Sequence, residues 1–413
     1  MTDRPLHFCM ITTFYPPWHF GGDAMHIYRL SNALARRGHT VDVICDQDAY
    51  HLLHPDPPPG NFPNHENVRV HALKSRAGFF SALATQQTGR PYFKRRKIEA
   101  IMRARKPDVI NFHNVSLVGG PGVLFLGSAV KLYTTHEHWL VCPMHVLWKY
   151  DREACDKKEC ISCQIAGKRP VQLWRYTGLM DRALKQVDLF LSPSTFTLKR
   201  HTEWGGLPIP MRRLPYYYQP PELSDGATPS APQHDRPFFL IVGRLEKIKG
   251  IQDVIPLFKD YERADLLIAG EGVYGDELRA LGAAVPRVKF LGRKSQEDLR
   301  ALYKQAIAVI VPSICYEVFG IIIIEAFAQR TPVIAHRWGV LTEVMEESGG
   351  GLLYSTPQEL IAAMDRMIDN EQERRAFGES GHECYRAKWS EEAHLAEYLA
   401  ICGDLLAKKA ATP

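Results

Sequence analysis

The sequence predicts an α/β protein of two doubly wound, Rossmann-like domains. Three observations predict it. The chain has 413 residues, more than one hydrophobic core ordinarily supports. Apolar, strand-like runs alternate with amphipathic helical segments in two separate series, the pattern of parallel sheets with helices on both faces. Between the series, residues 219–236 ("QPPELSDGATPSAPQHDR") are rich in Pro, Ser and Asp and have no apolar period, which marks a linker.

The first series spans residues 1–218. "HFCMITTFY" reads as a buried strand, and "DAMHIYRLSNALARRG" as an amphipathic helix with Asp23 at its N-cap and Gly38 at its end. "TVDVIC", "DVINFH" (108–113), "VKLYTTH" (130–136) and "VDLFLSPS" (187–194) supply further strands. The second series, 237–388, runs "FFLIVG", "ADLLIAG", "RVKFLG", "IAVIVPS" and "TPVIAH", with helical segments between. Residues 389–413 hold a closing amphipathic helix at 389–407. Ligands of such sheets bind beyond the carboxyl ends of the strands, so functional residues are sought there.

Composition narrows the class. Hydrophobic residues at 45% and charged residues at 23% describe an ordinary globular chain. No apolar run approaches the roughly 18 residues of a membrane-spanning helix. The first residues enter a strand without the layout of a signal peptide. Nine cysteines, most of them in core-like runs (Cys9, Cys45, Cys315, Cys402), point to a reducing, cytoplasmic compartment. Residues 1–220 hold 29 Lys and Arg against 17 Asp and Glu, whereas 221–413 hold 22 against 29, so the two halves face different partners.

The second half carries an anion site. "FFLIVG" runs into "GRLEKIKG", where Gly243 lets a ligand approach the backbone, Arg244 offers a planar fork and Lys249 a point charge. Alone this could be a surface turn with solvated cations. After "IAVIVPS", however, the run "YEVFGIIIIEAF" brackets an apolar stretch with Glu317 and Glu325. The strand position is already filled, so a buried helix is predicted to begin near Gly320, its N-terminus forming an anion site without side chains. A nucleotide diphosphate sugar fits: diphosphate on that terminus with Arg244 and Lys249, ribose on Glu325, sugar towards Glu317.

With "FGG" near the start, "GRLEKIKG", "IAGEG", "VKFLG" and "EVFGIIIIEAFAQRTPVIA" in this order, the chain resembles glycosyltransferase family 4 over nearly its whole length. The resemblance implies a retaining enzyme of the GT-B fold, its two Rossmann-like domains facing across a cleft. It implies that Arg244 and Lys249 neutralise the leaving diphosphate, that Glu317 contacts the donor sugar and that Glu325 binds ribose. Backbone amides around Phe319, Gly320 and Ile321 are implied to face phosphates and sugar, with no catalytic divalent metal and no protein nucleophile. The closing helix is implied to return to the first domain. Gly270 and Gly272, in "IAGEG", fit close packing on the nucleotide. Arg293 and Lys294 either meet the base or are solvated cations.

In the first half, Gly21 and Gly22 are implied to lie by the donor phosphate, and His113, ending "DVINFH", to face the donor sugar. His136 and His138 invite the same argument with less support. The basic, aromatic stretch 89–108 ("GRPYFKRRKIEAIMRARKPD") suits either a solvated helix face or peripheral docking on an anionic membrane or acidic acceptor. No nucleic-acid module is present, so nucleic acid is not expected. Within the insertion 142–163, Cys142, Cys155, Cys160 and Cys163 are spaced as a structural zinc site would be; an iron–sulfur cluster or four unligated thiols are the alternatives.

The expected activity is transfer of a sugar, from a UDP-sugar first and a GDP-sugar next, to a hydroxyl of a glycan, a lipid-linked intermediate or a small molecule. A nucleotide-sugar epimerase or hydrolase would need no acceptor. A non-catalytic scaffold would not need Arg244, Lys249, Glu317 and Glu325.

Overall fold

The computed structural model describes residues 4–19, 21–54, 56, 60–220 and 234–411. Of the expected linker, residues 221–233 lie outside the described residues. The chain forms two compact units. The first comprises Met1–Asp151, Asp156–Leu214 and Leu395–Pro413, the second Arg152–Cys155 and Pro215–His394.

The first unit is built on seven parallel strands: β1 (His7–Ile11), β2 (Thr40–Asp46), β3 (Val68–Leu73), β4 (Val109–Phe112), β5 (Val130–Thr134), β6 (Leu189–Ser192) and β7 (Met211–Arg213), in the order β3-β2-β1-β4-β5-β6-β7. The central strands are predominantly apolar because both faces are covered, the rule for parallel sheets. On one face Phe8, Met10, Val41 and Val43 pack with Ile27, Leu30 and Leu34 of α1 (Gly22–Arg36). On the other, Ile110, Phe112 and Tyr133 join Ile98 and Met102. These last two come from α3 (Arg95–Arg105), which follows α2 (Phe79–Thr88).

Asp42, fully buried in β2, ties three elements together. It accepts from His7 Nε2 in β1 at 2.5 Å, from His71 Nε2 in β3 at 2.6 Å and from Arg105 Nε in α3 at 2.7 Å. Burial alone would raise its pKa; these three donors outweigh burial and hold the carboxyl far below its ordinary value.

The second unit has six parallel strands: β8 (Phe238–Val242), β9 (Asp265–Ala269), β10 (Val288–Gly292), β11 (Val309–Val311), β12 (Val333–His336) and β13 (Gly351–Tyr354), ordered β10-β9-β8-β11-β12-β13. The apolar run after β11 is a helix, α4 (Ile321–Ala328), whose Ile323, Ile324, Ala326 and Phe327 are buried. Strand propensity of the isoleucines is overridden by tertiary context, since β11 already occupies that place in the sheet.

The closing helix α5 (Glu391–Ala410) re-enters the first unit from Leu395 onward. Leu395, Tyr398, Ile401 and Cys402 form its buried stripe there, at helical spacing. Asn111 Nδ2 of β4 donates to the Tyr398 hydroxyl at 3.1 Å. Among the described residues, no helix is long and apolar enough to cross a membrane.

Candidate active site

Each unit carries its candidate residues where strand order reverses. In the second sheet that point lies between β8 and β11. The loop after β8 holds Gly243, Arg244 and Lys249, and the loop after β11 holds Ser313 and Glu317. The Ile314 N–H donates to the Ile248 carbonyl oxygen at 3.0 Å and ties the two loops together.

Lys249 Nζ donates to Glu317 Oε1 at 2.5 Å, and Ser313 Oγ donates to the same oxygen at 2.8 Å. Both charged side chains are about one-fifth exposed, so a ligand can reach the pair. Burial pushes the Glu317 carboxyl up, but the Lys249 charge and the two hydrogen bonds outweigh it and hold it below the usual carboxylate value. Burial likewise opposes the Lys249 ammonium, and Glu317 outweighs it, leaving that pKa raised. The pair is therefore ionised at neutral pH. Arg244, more exposed and paired with Glu246 at 2.7 Å, adds a second cation that favours ionised Glu317. A surface ion pair of this kind is weak, so Arg244 can exchange Glu246 for a phosphate oxygen.

Helix α4 begins beside this pair. Its N-cap, Gly320, takes φ +99°, a conformation that a side chain would strain, and offers no capping side chain. A helix N-terminus without a capping side chain can take an anion on its first backbone N–H groups. Phe319 is fully buried, edge-on to Tyr216 and Trp389, so it contributes an anchored backbone rather than an exposed ring. Ile321 opens the helix. Glu325 lies one turn inside, buried, and accepts from the Tyr303 hydroxyl at 2.9 Å. Burial first, and then Glu325, push the Tyr303 phenol well above its ordinary pKa, which keeps it a donor.

Gly243, Gly270 and Gly272 bring the loops after β8 and β9 together. Gly270 shows why no other residue fits: its backbone has φ +143°, and a Cβ would lie 1.8 Å from the Gly243 carbonyl oxygen. A Cβ at Gly272 would lie 2.5 Å from the Leu245 carbonyl oxygen. Arg293 follows β10, exposed, on the same carboxyl side of the sheet, and Lys294 is half-buried beside it.

In the first sheet the order reverses between β1 and β4. Gly21 and Gly22 close the loop after β1. Gly21, not Asp23, is the N-cap of α1; Asp23 falls in the first turn, where its charge favours the helix dipole. His113 follows β4 and is buried. Its Nδ1 lies 2.8 Å from His136 Nε2, with the rings stacked at 5.0 Å. Burial, then His136, pushes the His113 pKa well down, so the ring is neutral at pH 7 and serves as a hydrogen-bond partner, not a cation. His138 stacks on His201 at 5.5 Å.

Among the described residues no three or more His, Cys, Asp or Glu side chains are arranged to hold a metal ion. Arg175, missed by the spacing argument, interacts with Cys142 and Cys160. Its guanidinium lies 5.1 Å from the Trp139 ring and 4.9 Å from the Trp174 ring, and donates to the Trp139 carbonyl oxygen at 2.7 Å.

Sequence reasoning also missed Ser313 and Tyr303. The "VPS" ending β11 was a signal for Ser313, since a serine at a strand exit faces a loop-built site. Tyr303 lies 22 positions from its partner and gave no local signal.

Comparison with known proteins bears on the family and the fold. A family model described as Glycosyltransferase Family 4 matches residues 20–215, and one described as Glycosyl transferases group 1 matches 228–383. An uncharacterized glycosyltransferase of Methanocaldococcus jannaschii is 28% identical over 385 residues, covering 87% of this chain and 88% of its own. The fold is similar to that of the sucrose-phosphate synthase of Thermosynechococcus elongatus, at a TM-score of 0.75 and 22% identity, over 98% of this chain and all of that one (100%). It is also similar to Anabaena HepE in complex with UDP, at a TM-score of 0.61 and 16% identity, over 96% and 99% of the two chains.

Proposed function

Because the chain belongs to glycosyltransferase family 4 and has the GT-B fold, we propose that it transfers a sugar with retention from a nucleotide diphosphate donor to an acceptor hydroxyl. The preferred donor is a UDP-sugar, with a GDP-sugar next. The observation that carries this reading is the ionised Lys249–Glu317 pair, braced by Ser313, directly before the uncapped helix end at Gly320.

In this reading the donor diphosphate lies on the N-terminus of α4, with Arg244 and Lys249 meeting its oxygens. As the bond from the sugar C1 to the diphosphate oxygen breaks, charge develops on the leaving group. Preorganised cations and backbone N–H groups stabilise that charge more than they stabilise the bound donor. The acceptor oxygen bonds to C1 on the same face, and its proton passes to the departing phosphate oxygen. Glu317 orients the sugar and holds Lys249 in place; Glu325 accepts from ribose hydroxyls. Arg244, Lys249 and the helix terminus supply the positive charge, so the account assigns no divalent metal to the step. The UDP preference is supported by the structural likeness to a protein crystallised with UDP.

The configuration of the product tests this. With UDP-glucose or GDP-mannose and a panel of hydroxyl acceptors, proton NMR of the first product formed should show the donor's own anomeric configuration. An inverted product would overturn the retaining reading. Turnover of donor without any glycosylated acceptor would favour the epimerase or hydrolase alternative.

A further inference from the structure

We propose that the face of the first unit built from residues 74–97 and 160–176 docks peripherally on an anionic lipid bilayer. Thirteen large hydrophobic side chains are exposed among the described residues, and eight of them lie in these two stretches. Phe80 is 67% exposed, Tyr92 71%, Ile165 64% and Leu173 66%. Such a concentration is not a scatter of single surface residues; it marks an interaction site.

The two stretches form one surface. Trp174 Nε1 donates to the Gln86 carbonyl oxygen at 2.8 Å, and Gln86 Nε2 donates to the Pro170 carbonyl oxygen at 2.9 Å. The Gln172 N–H donates to Gln164 Oε1 at 3.2 Å, which joins the helix Cys160–Ala166 to the same group. Lys97 Nζ donates to the Lys74 carbonyl oxygen at 2.5 Å and closes the other edge. Trp174 is buried against Gly89 as the fastening, while its neighbours Leu173 and Tyr176 are exposed. In α2, Ser81, Ala82 and Thr85 are buried, and Phe79 and Phe80 at its start are exposed.

Charge identifies the partner. Residues 74–106 carry ten Lys and Arg against one acid, Glu99. Lys94 is committed to Asp46 and Asp48, and Arg105 to Asp42; the other eight are exposed. Lys168 and Arg169 add two exposed cations beside Ile165. Cations attract anionic headgroups, and the aromatic and aliphatic side chains enter the boundary beneath them. A hydrated acidic polymer would satisfy the cations and leave the apolar side chains in water, so a bilayer satisfies both. Insertion is shallow, since no described helix can span.

Cosedimentation of the full chain with vesicles tests this without donor or acceptor, so its outcome is independent of the transfer reading. Binding is expected to mixed phosphatidylglycerol and phosphatidylcholine vesicles and not to phosphatidylcholine alone. Phe80→Ser with Tyr92→Ser, and separately Arg95→Gln with Arg96→Gln, should each weaken it about tenfold. Unchanged circular dichroism would show that the unit remains folded. Equal binding to both vesicle types, no binding to either, or binding that survives both variants would overturn the proposal. Capture by soluble polyglutamate without vesicle binding would overturn it in favour of an acidic polymer.

Discussion

Replacing Lys249 by alanine is expected to lower kcat/KM for sugar transfer by about 10²–10³-fold, the usual cost of removing one preorganised group that meets developing charge. The ammonium stands 2.5 Å from Glu317 Oε1, so the variant also removes the partner that keeps that carboxylate ionised. The Glu317 pKa should then rise, because burial already pushes it up and only its donors hold it down. A Lys249→Ala, Glu317→Gln double variant separates these effects. It removes the orphaned charge, so stability should recover towards wild type while turnover stays low. Recovery of turnover in the double variant would show that Lys249 serves only to neutralise Glu317. In the wild type the lowered Glu317 and raised Lys249 values keep this pair ionised from pH 6 to 8. The pair should contribute no step to the pH–rate profile in that range.

Asp42→Ala should destabilise the first unit by about 2–4 kcal/mol, the lower side of what breaking a buried ion pair costs. The estimate is reduced because the three donors, His7, His71 and Arg105, keep partial contact with water. The pH dependence has a definite sign. Asp42 is depressed in the folded unit, so its contribution is complete above the unfolded value of about 4 and is lost as pH falls towards the folded value. Thermal midpoints measured at pH 7 and at pH 2.5 should therefore differ more for wild type than for Asp42→Ala. Equal acid sensitivity in the two proteins would remove Asp42 from the account of the fold.

The sequence made one kind of information accessible and hid another. Strand exits at Gly243 and Gly270, and the helix beginning after Gly320, follow from local pattern: an apolar run, a glycine, then a change of period. The turn at Gly270 could be anticipated because only glycine permits the backbone approach seen there. Pairings chosen by tertiary packing left no such trace. Lys249 and Glu317 are 68 positions apart, and Tyr303 reaches Glu325 from a different helix. The surroundings of the cysteines were hidden for the same reason. Their spacing suggested a tetrahedral site, but spacing cannot show that the Arg175 charge interacts with Cys142 and Cys160. The basic stretch after Gly89 was legible as charge and aromaticity. Which of its cations turn inward, Lys94 above all, required the structure.

The most direct test of the account is calorimetric titration of UDP, GDP, ADP and TDP into the wild-type chain and into Glu325→Gln, in metal-free buffer. The account predicts that UDP binds best to the wild type and about tenfold more weakly to the variant, a loss of about 1.4 kcal/mol for one ribose contact. Equal UDP affinity in the two proteins, or no nucleotide binding to the wild type, would contradict it.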